Sequence, residues 1–274
     1  VYLCRMEKIH EQIVEKMLSA ATKAGADETD ITFISGGGVD VQVRLGKVES
    51  AERSEDYQMG LRVFCGNRTA TISSSQLDDE NITQLAERAV AMARAAPKDP
   101  YARLATSDEQ AKNLPDIELC DDVVFSTDQL TEMARSCEDA ALTVTGITNS
   151  EGSSASQSLT DILIATSTGF SASYKRSSFG FSAVVLAEKD GKMERDYDYS
   201  SAVFASDLDK PEDIGAEAAR RTISRLGARK PTTGTFPIIY DKRVSRSIAG
   251  HIASAINGVS VAKGTSFLKE CMGE

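Results

Sequence analysis

The sequence predicts an α+β protein in which antiparallel sheets are flanked by helices and a helix–strands–helix arrangement occurs twice. Three observations carry that expectation. The apolar spacing switches from helical to alternating and back again on each side of a connector. The connector itself holds three of the six prolines, Pro97, Pro100 and Pro115. The 274 residues are 41% hydrophobic and 26% charged, the makeup of a folded chain with room for one large domain or two smaller ones. The expected organisation is an N-terminal α+β unit over 1–96, a connector over 97–125 and a second α+β unit over 126–230. Residues 231–274 read as the truncated start of a C-terminal region.

Each element has its own signal. From Glu7 to Ala24 the apolar residues Ile9, Ile13, Val14, Met17, Leu18 and Ala21 fall at helical spacing, and Gly25 is a natural stop. Alternation follows in Val39, Val41, Val43 and Leu45, then a turn at Gly46-Lys47, then Tyr57, Met59, Leu61, Val63 and Cys65. A second turn at Gly66-Asn67 leads into Arg68 to Ser73, which completes an antiparallel meander. A helix over Asp79 to Ala95 carries Ile82, Leu85, Ala86, Ala89, Val90 and Ala93 on one stripe. In the second half Ser126 and Gln129 form a capping box for a helix through Leu130, Met133, Ala134, Cys137 and Ala141. Strands return with Ile162 and Ile164, a turn at Thr168-Gly169, and the alternating run Phe179, Phe181, Ala183, Val185, Ala187. A hairpin at Lys189 to Lys192 precedes Tyr197 and Tyr199. Pro211 opens a helix with Ile214, Ala218, Ile223 and Leu226. A short strand at Thr235 to Tyr240 and a helix from Lys242 to Ile256 end the reading.

Charge and cysteine usage exclude several function classes. With 31 Lys+Arg against 41 Asp+Glu the net charge is −10, which weighs against binding nucleic acid or an anionic membrane. Cys4, Cys65, Cys120, Cys137 and Cys271 are scattered and never spaced as CxxC, so neither a disulfide framework nor a zinc knuckle is expected. No apolar run reaches the roughly 20 residues of a membrane span. Val1 to Met6 is too short and too early-charged for a signal peptide, Met6 is a candidate natural start, and the expected location is the cytoplasm.

Candidate chemistry is sparse. Gly36-Gly37-Gly38 leads into a strand rather than a helix and lacks phosphate-loop spacing, so it reads as a flexible connection between strands. Asp196, Asp198 and Ser200 sit at alternate positions like calcium ligands, but Ser201 stands where the loop needs glycine and Asp207 where it needs glutamate; they read as the solvated face of a strand. Asp78-Asp79-Glu80 and Asp121-Asp122 read as acidic residues beside helix starts. Ser73-Ser74-Ser75 and Ser153-Ser154 have no nearby base, and no GxSxG elbow exists. His10 and His251 are the only histidines, too few for a three-histidine metal site, and nothing in the sequence brings either to a cysteine.

The helix containing Arg246-Ser247-Ile248-Ala249-Gly250-His251, with Lys230 to Tyr240 before it and Gly264 to Leu268 after it, resembles the TldD/PmbA family, also called modulator of DNA gyrase, in its PmbA/TldE branch. Gly46-Lys47-Val48-Glu49-Ser50 followed by Gly60-Leu61-Arg62-Val63 is similar to the family's amino-terminal pattern. In that family TldD members carry His-Glu-x-x-x-His on this helix, two zinc ligands and a general base. The resemblance places Arg246 on the first ligand, Ser247 on the glutamate and His251 on the second ligand. A guanidinium has no lone pair for a cation, and a serine cannot deprotonate a zinc-bound water. No metal and no catalytic residue is therefore expected in this chain. The resemblance implies a non-catalytic subunit of a heterodimeric zinc metallopeptidase, with zinc in a TldD-like partner and small or unfolded peptides as substrates. It also implies that family members continue past Glu274. Peptides bound along exposed sheet edges by main-chain hydrogen bonds would suit such a role. A different class, a regulatory protein acting on DNA gyrase, is implied by the family's older name, and an independent hydrolase is the least favoured reading.

Overall fold

A computed structural model describes residues 2–115, 117–271 and 273, with side chains described from His10 onward; the readings of Val1, and of the Cys4, Met6 and Ile9 side chains, fall outside the described residues. The chain divides into two compact units, 1–227 and 228–274. In the first unit, α1 (Tyr2–Ala24) turns Val14, Met17 and Ala21 inward and stops at Gly25, whose φ of +97° ends the helical path. Then come β1 (Glu28–Arg44), β2 (Lys47–Phe64), β3 (Thr69–Ser74) and α2 (Asp79–Ala95). After the connector the pattern repeats with α3 (Thr127–Leu142), β4 (Ile147–Thr166), β5 (Ser171–Lys189), β6 (Lys192–Ala202) and α4 (Pro211–Ser224).

Among the described residues six strands join in one antiparallel sheet of order β3-β2-β1-β4-β5-β6. The two halves meet at β1 and β4, which pair from Asp30 with Thr166 to Val43 with Ser153. Buried residues alternate along these strands, so one face of the sheet carries the helices. Ile31 and Phe33 of β1 pack with α1 and α2, while Val41 and Val43 of the same strand pack with α3 and α4. The long central strands thus serve two cores in succession, with an uncovered stretch between them.

Residues 36–38 overturn the expectation of a flexible connection. They lie inside β1, paired with Ser54 to Asp56 on one side and Ser158 to Thr160 on the other. A Cβ on Gly36 would stand 2.4 Å from the Leu159 carbonyl oxygen, and one on Gly38 2.9 Å from that of Gln157. Glycine is present here for close approach of neighbouring backbones, not for flexibility.

The connector is tied down at intervals. Leu104 N–H donates to Glu28 Oε2 (2.8 Å), Gln110 Nε2 to Thr168 Oγ1 (2.8 Å), and Ser177 N–H to the Leu119 carbonyl (3.0 Å). Asp121 precedes the α3 cap Ser126 by five residues, and its carboxylate accepts from the backbone N–H groups of Val123 (3.1 Å) and Ala205 (2.8 Å). Asp78 does cap α2, accepting from Asn81 N–H at 3.0 Å, a bond that lowers its pKa.

The carboxylates of β6 also depart from expectation. Asp196 and Ser200 are buried, 8% and 6% exposed, and they face α4 rather than solvent, while Tyr197 and Tyr199 lie on the open face. Basic residues on α4 and at its C-terminal cap account for the inversion. Arg221 bonds Asp198 at 2.5 Å and Glu217 at 2.8 Å, and Arg225 reaches Asp196 at 3.4 Å. Hydrogen bonds from Arg220, ahead of those from Arg221, pull the Glu217 carboxyl from its ordinary 4.5 to about 2. A carboxyl held below its unfolded value stabilises the fold above about pH 4.5, and the contribution disappears as pH falls toward 2. Glu217→Gln should therefore flatten the acid limb of the stability curve in that window; unchanged pH dependence in urea titrations would refute the pairing.

In the second unit α5 (Lys242–Ala255) and α6 (Gly258–Ala262) form, but the strand expected at Thr235 to Tyr240 does not. Phe236, Ile238, Ile239 and Tyr240 are exposed, and among the described residues of this unit no strand offers their backbone a ladder.

Candidate functional site

The α5 helix begins where Asp241 accepts a hydrogen bond from Arg243 N–H at 2.9 Å. Arg246, Ser247 and His251 are all exposed on it. Ser247 Oγ donates to the Val244 carbonyl at 2.6 Å, the usual back-bond of a helical serine. Zinc needs lone pairs from imidazole, thiolate or carboxylate, and this turn of helix offers His251 alone beside a permanent cation. Among the described residues no cluster of three histidine, cysteine or acidic side chains is placed to hold a metal. The residues present do not fit a zinc site.

Cysteine nucleophiles fare no better. Burial pushes the Cys137 thiol up to about 12, and Cys65 is likewise raised by burial. Thiolate is the reactive form, so Cys137 should resist alkylation in the folded chain and react only on unfolding. Mass-spectrometric mapping checks this, and prompt labelling of Cys137 would contradict it.

The uncovered stretch of the sheet forms a cleft of about 1110 Å³ between the helix pairs. Ser35, Gly37, Val39, Tyr57, Leu159 and Phe179 line it, with His10 of α1 and Ser126 of α3 at its ends. The predicted capping box is present: Ser126 Oγ accepts from Gln129 N–H and Gln129 Oε1 from Ser126 N–H. The Gln157 side chain fixes the adjacent loop, accepting from Phe125 N–H at 2.8 Å and donating to its carbonyl at 2.6 Å. Arg53 pairs with Glu55 (3.2 Å) and Lys175 with Asp161 (3.7 Å). The arrangement is an open cleft with compensated charges, and none of these contacts makes a nucleophile–base pair. Sequence reasoning missed it because four strands far apart in the chain contribute to it.

Glu138 of α3 is a second residue the sequence did not reveal. It is fully buried, and its carboxylate accepts from Leu45 N–H and Gly46 N–H, both at 2.9 Å, and from Ser150 Oγ at 2.5 Å. It pins the β1–β2 turn to the helix layer.

Strands β1 to β3 with α2, and α3 to α4 with β4 to β6, correspond to two domain families described as metallopeptidase domains. Residues 30–93 match the PmbA/TldA metallopeptidase domain 1, and residues 123–226 the PmbA/TldA metallopeptidase central domain. The chain belongs to the PmbA/TldD family, on its PmbA/TldE side. It is 34% identical to Metalloprotease PmbA of Escherichia coli O157:H7 over 268 residues, which is 97% of this chain and 59% of that protein. A PmbA homolog of Haemophilus influenzae is 32% identical over 96% of this chain and 58% of its own length. The chain thus spans somewhat more than half the length of the curated relatives it matches. Among solved structures, a Bacteroides thetaiotaomicron protein named for a proposed role as a modulator of DNA gyrase superposes with a TM-score of 0.85 at 23% identity, over 95% of this chain and 60% of that one. TldE from Thermococcus kodakarensis gives 0.68 at 17% identity, over 94% and 58%. These two likenesses concern the fold. Among the described residues no helix is long and apolar enough to cross a membrane.

Proposed function

We propose that this chain is the non-catalytic, TldE-like subunit of a heterodimeric TldD/TldE zinc metallopeptidase, acting in the cytoplasm in the proteolysis and maturation of small or unfolded peptides. The observation that carries the reading is the donor set on α5. Where the family resemblance puts two zinc ligands and a general base, this chain has Arg246, Ser247 and His251, and Ser247 is already bonded to its own helix backbone. Zinc and the base then belong to the TldD-like partner, and this chain contributes surface. Its net charge of −10 supports a protein or peptide partner over nucleic acid.

Co-expression with a TldD-like relative, followed by gel filtration and mass measurement, tests the pairing. The expected result is a heterodimer that cleaves unfolded peptides and loses activity on chelation. A chain that remains alone would contradict the pairing, and one that purifies with gyrase subunits and no TldD-like protein would favour the gyrase-modulating reading suggested by the name given to the Bacteroides relative.

A further inference from the structure

The β2 strand is longer than the strand that flanks it. β3 pairs only with Met59 to Phe64, so from Lys47 to Gln58 β2 has β1 on one side and, among the described residues, no strand on the other. Every second residue of such an edge turns its N–H and C=O away from the strand already paired, and among the described residues no backbone group of 47–58 bonds elsewhere. Ser50 to Gln58 pair residue for residue with Gln42 to Ile34, without proline or a bulge, and Ala51 to Gln58 are exposed. Natural edges are blunted by shortness, proline, bulges or charge, and this one has charge alone.

That charge is sorted by side. Met59 is buried on the helix side, so alternation puts Tyr57, Glu55 and Arg53 there too; they line the cleft, and Arg53 and Glu55 offset each other at 3.2 Å. Glu52 and Asp56 fall on the opposite side, Glu52 directly across from Asp40, and none of these three carboxylates has an ion pair among the described residues. Like charges facing one another across two strands are destabilising, and an incoming cation relieves them. A second copy of this chain cannot supply it, since antiparallel pairing about Ser54 would set Glu52 against Asp56. We propose that the free edge of β2 from Ser50 to Gln58 is a docking strand for an extended basic peptide, which adds to the sheet by main-chain hydrogen bonds. Alternate Lys or Arg side chains of the peptide lie beside Glu52 and Asp56, and the apolar side chains between them turn toward Tyr57 and the mouth of the cleft. The inference goes beyond the pairing with a TldD-like subunit, because every group it uses belongs to this chain.

The test is fluorescence anisotropy at low salt with a labelled peptide of about nine alternating lysines and valines, enough to span the edge. Its fully N-methylated counterpart keeps the charge but has no N–H to donate, and should bind at least about tenfold more weakly. Glu52→Lys combined with Asp56→Lys should leave the chain folded, since both side chains are exposed, and should weaken the parent peptide by about tenfold or more. Amide exchange of Ser50 to Gln58 should slow when the peptide binds. Absence of binding overturns the inference, as does equal binding of the N-methylated peptide, which would reduce the contact to charge alone, or equal binding by the doubly substituted chain. Protection of Ser50 to Gln58 that rises with protein concentration and no peptide would make the occupant a second copy and contradict the charge argument. None of these outcomes decides the pairing with a TldD-like subunit, which co-expression tests separately.

Discussion

Replacing Glu138 by alanine should lower the stability of the first unit by about 3–5 kcal/mol. The substitution strips acceptors from two part-buried backbone N–H groups and from the buried Ser150 hydroxyl. It also leaves the left-handed Leu45 without its tether. Glu138→Gln keeps the volume and one acceptor oxygen, so it should cost about 1–2 kcal/mol. Glu132→Ala on the exposed side of the same helix should stay within about 0.5 kcal/mol of the parent. Urea denaturation of the three variants checks the ordering, and equal loss from Glu138→Ala and Glu132→Ala would contradict the buried pin.

Gly215→Ala should destabilise by about 3 kcal/mol, although alanine is the better helix former by about 1 kcal/mol. A Cβ at this position of α4 would lie 2.0 Å from the Cys137 carbonyl oxygen and 3.1 Å from the Ala140 Cβ, so α3 and α4 would have to separate. The sign is diagnostic. Gly250→Ala in α5 meets nothing within 4 Å and should strengthen its helix. Thermal unfolding of both variants decides, and a stabilised Gly215→Ala chain would refute the close helix contact.

What the sequence made legible follows from the range of the forces involved. Local signals were sufficient where the interaction is local. The span of α2, Asp79–Ala95, could be read from its apolar stripe and its acidic first turn, and the start of α3 from the Ser126/Gln129 exchange. Alternation likewise located the buried face of Phe179 to Ala187. Where the partner is distant in sequence, local pattern gave the wrong answer. Asp196 and Asp198 resemble a solvated face until Arg221 and Arg225 arrive from α4. The Gly36 to Gly38 run resembles a linker until the carbonyls of Leu159 and Gln157 close over it. Thr235 to Tyr240 has strand composition but, among the described residues of its own unit, no strand to pair with. The cleft and Glu138 emit no sequence signal, because one is assembled from four strands and the other is an acidic residue on an otherwise ordinary helix. On α5 the chemistry of the donor set could be judged from residue types alone, since no packing gives a guanidinium a lone pair.

Zinc stoichiometry of the purified complex with a TldD-like subunit, measured by elemental mass spectrometry, tests the central claim most directly. The account predicts about one zinc per heterodimer, and near zero in this protein purified alone. About two zinc ions per heterodimer, or about one in this protein by itself, would contradict the assignment of Arg246, Ser247 and His251 as residues that hold no metal.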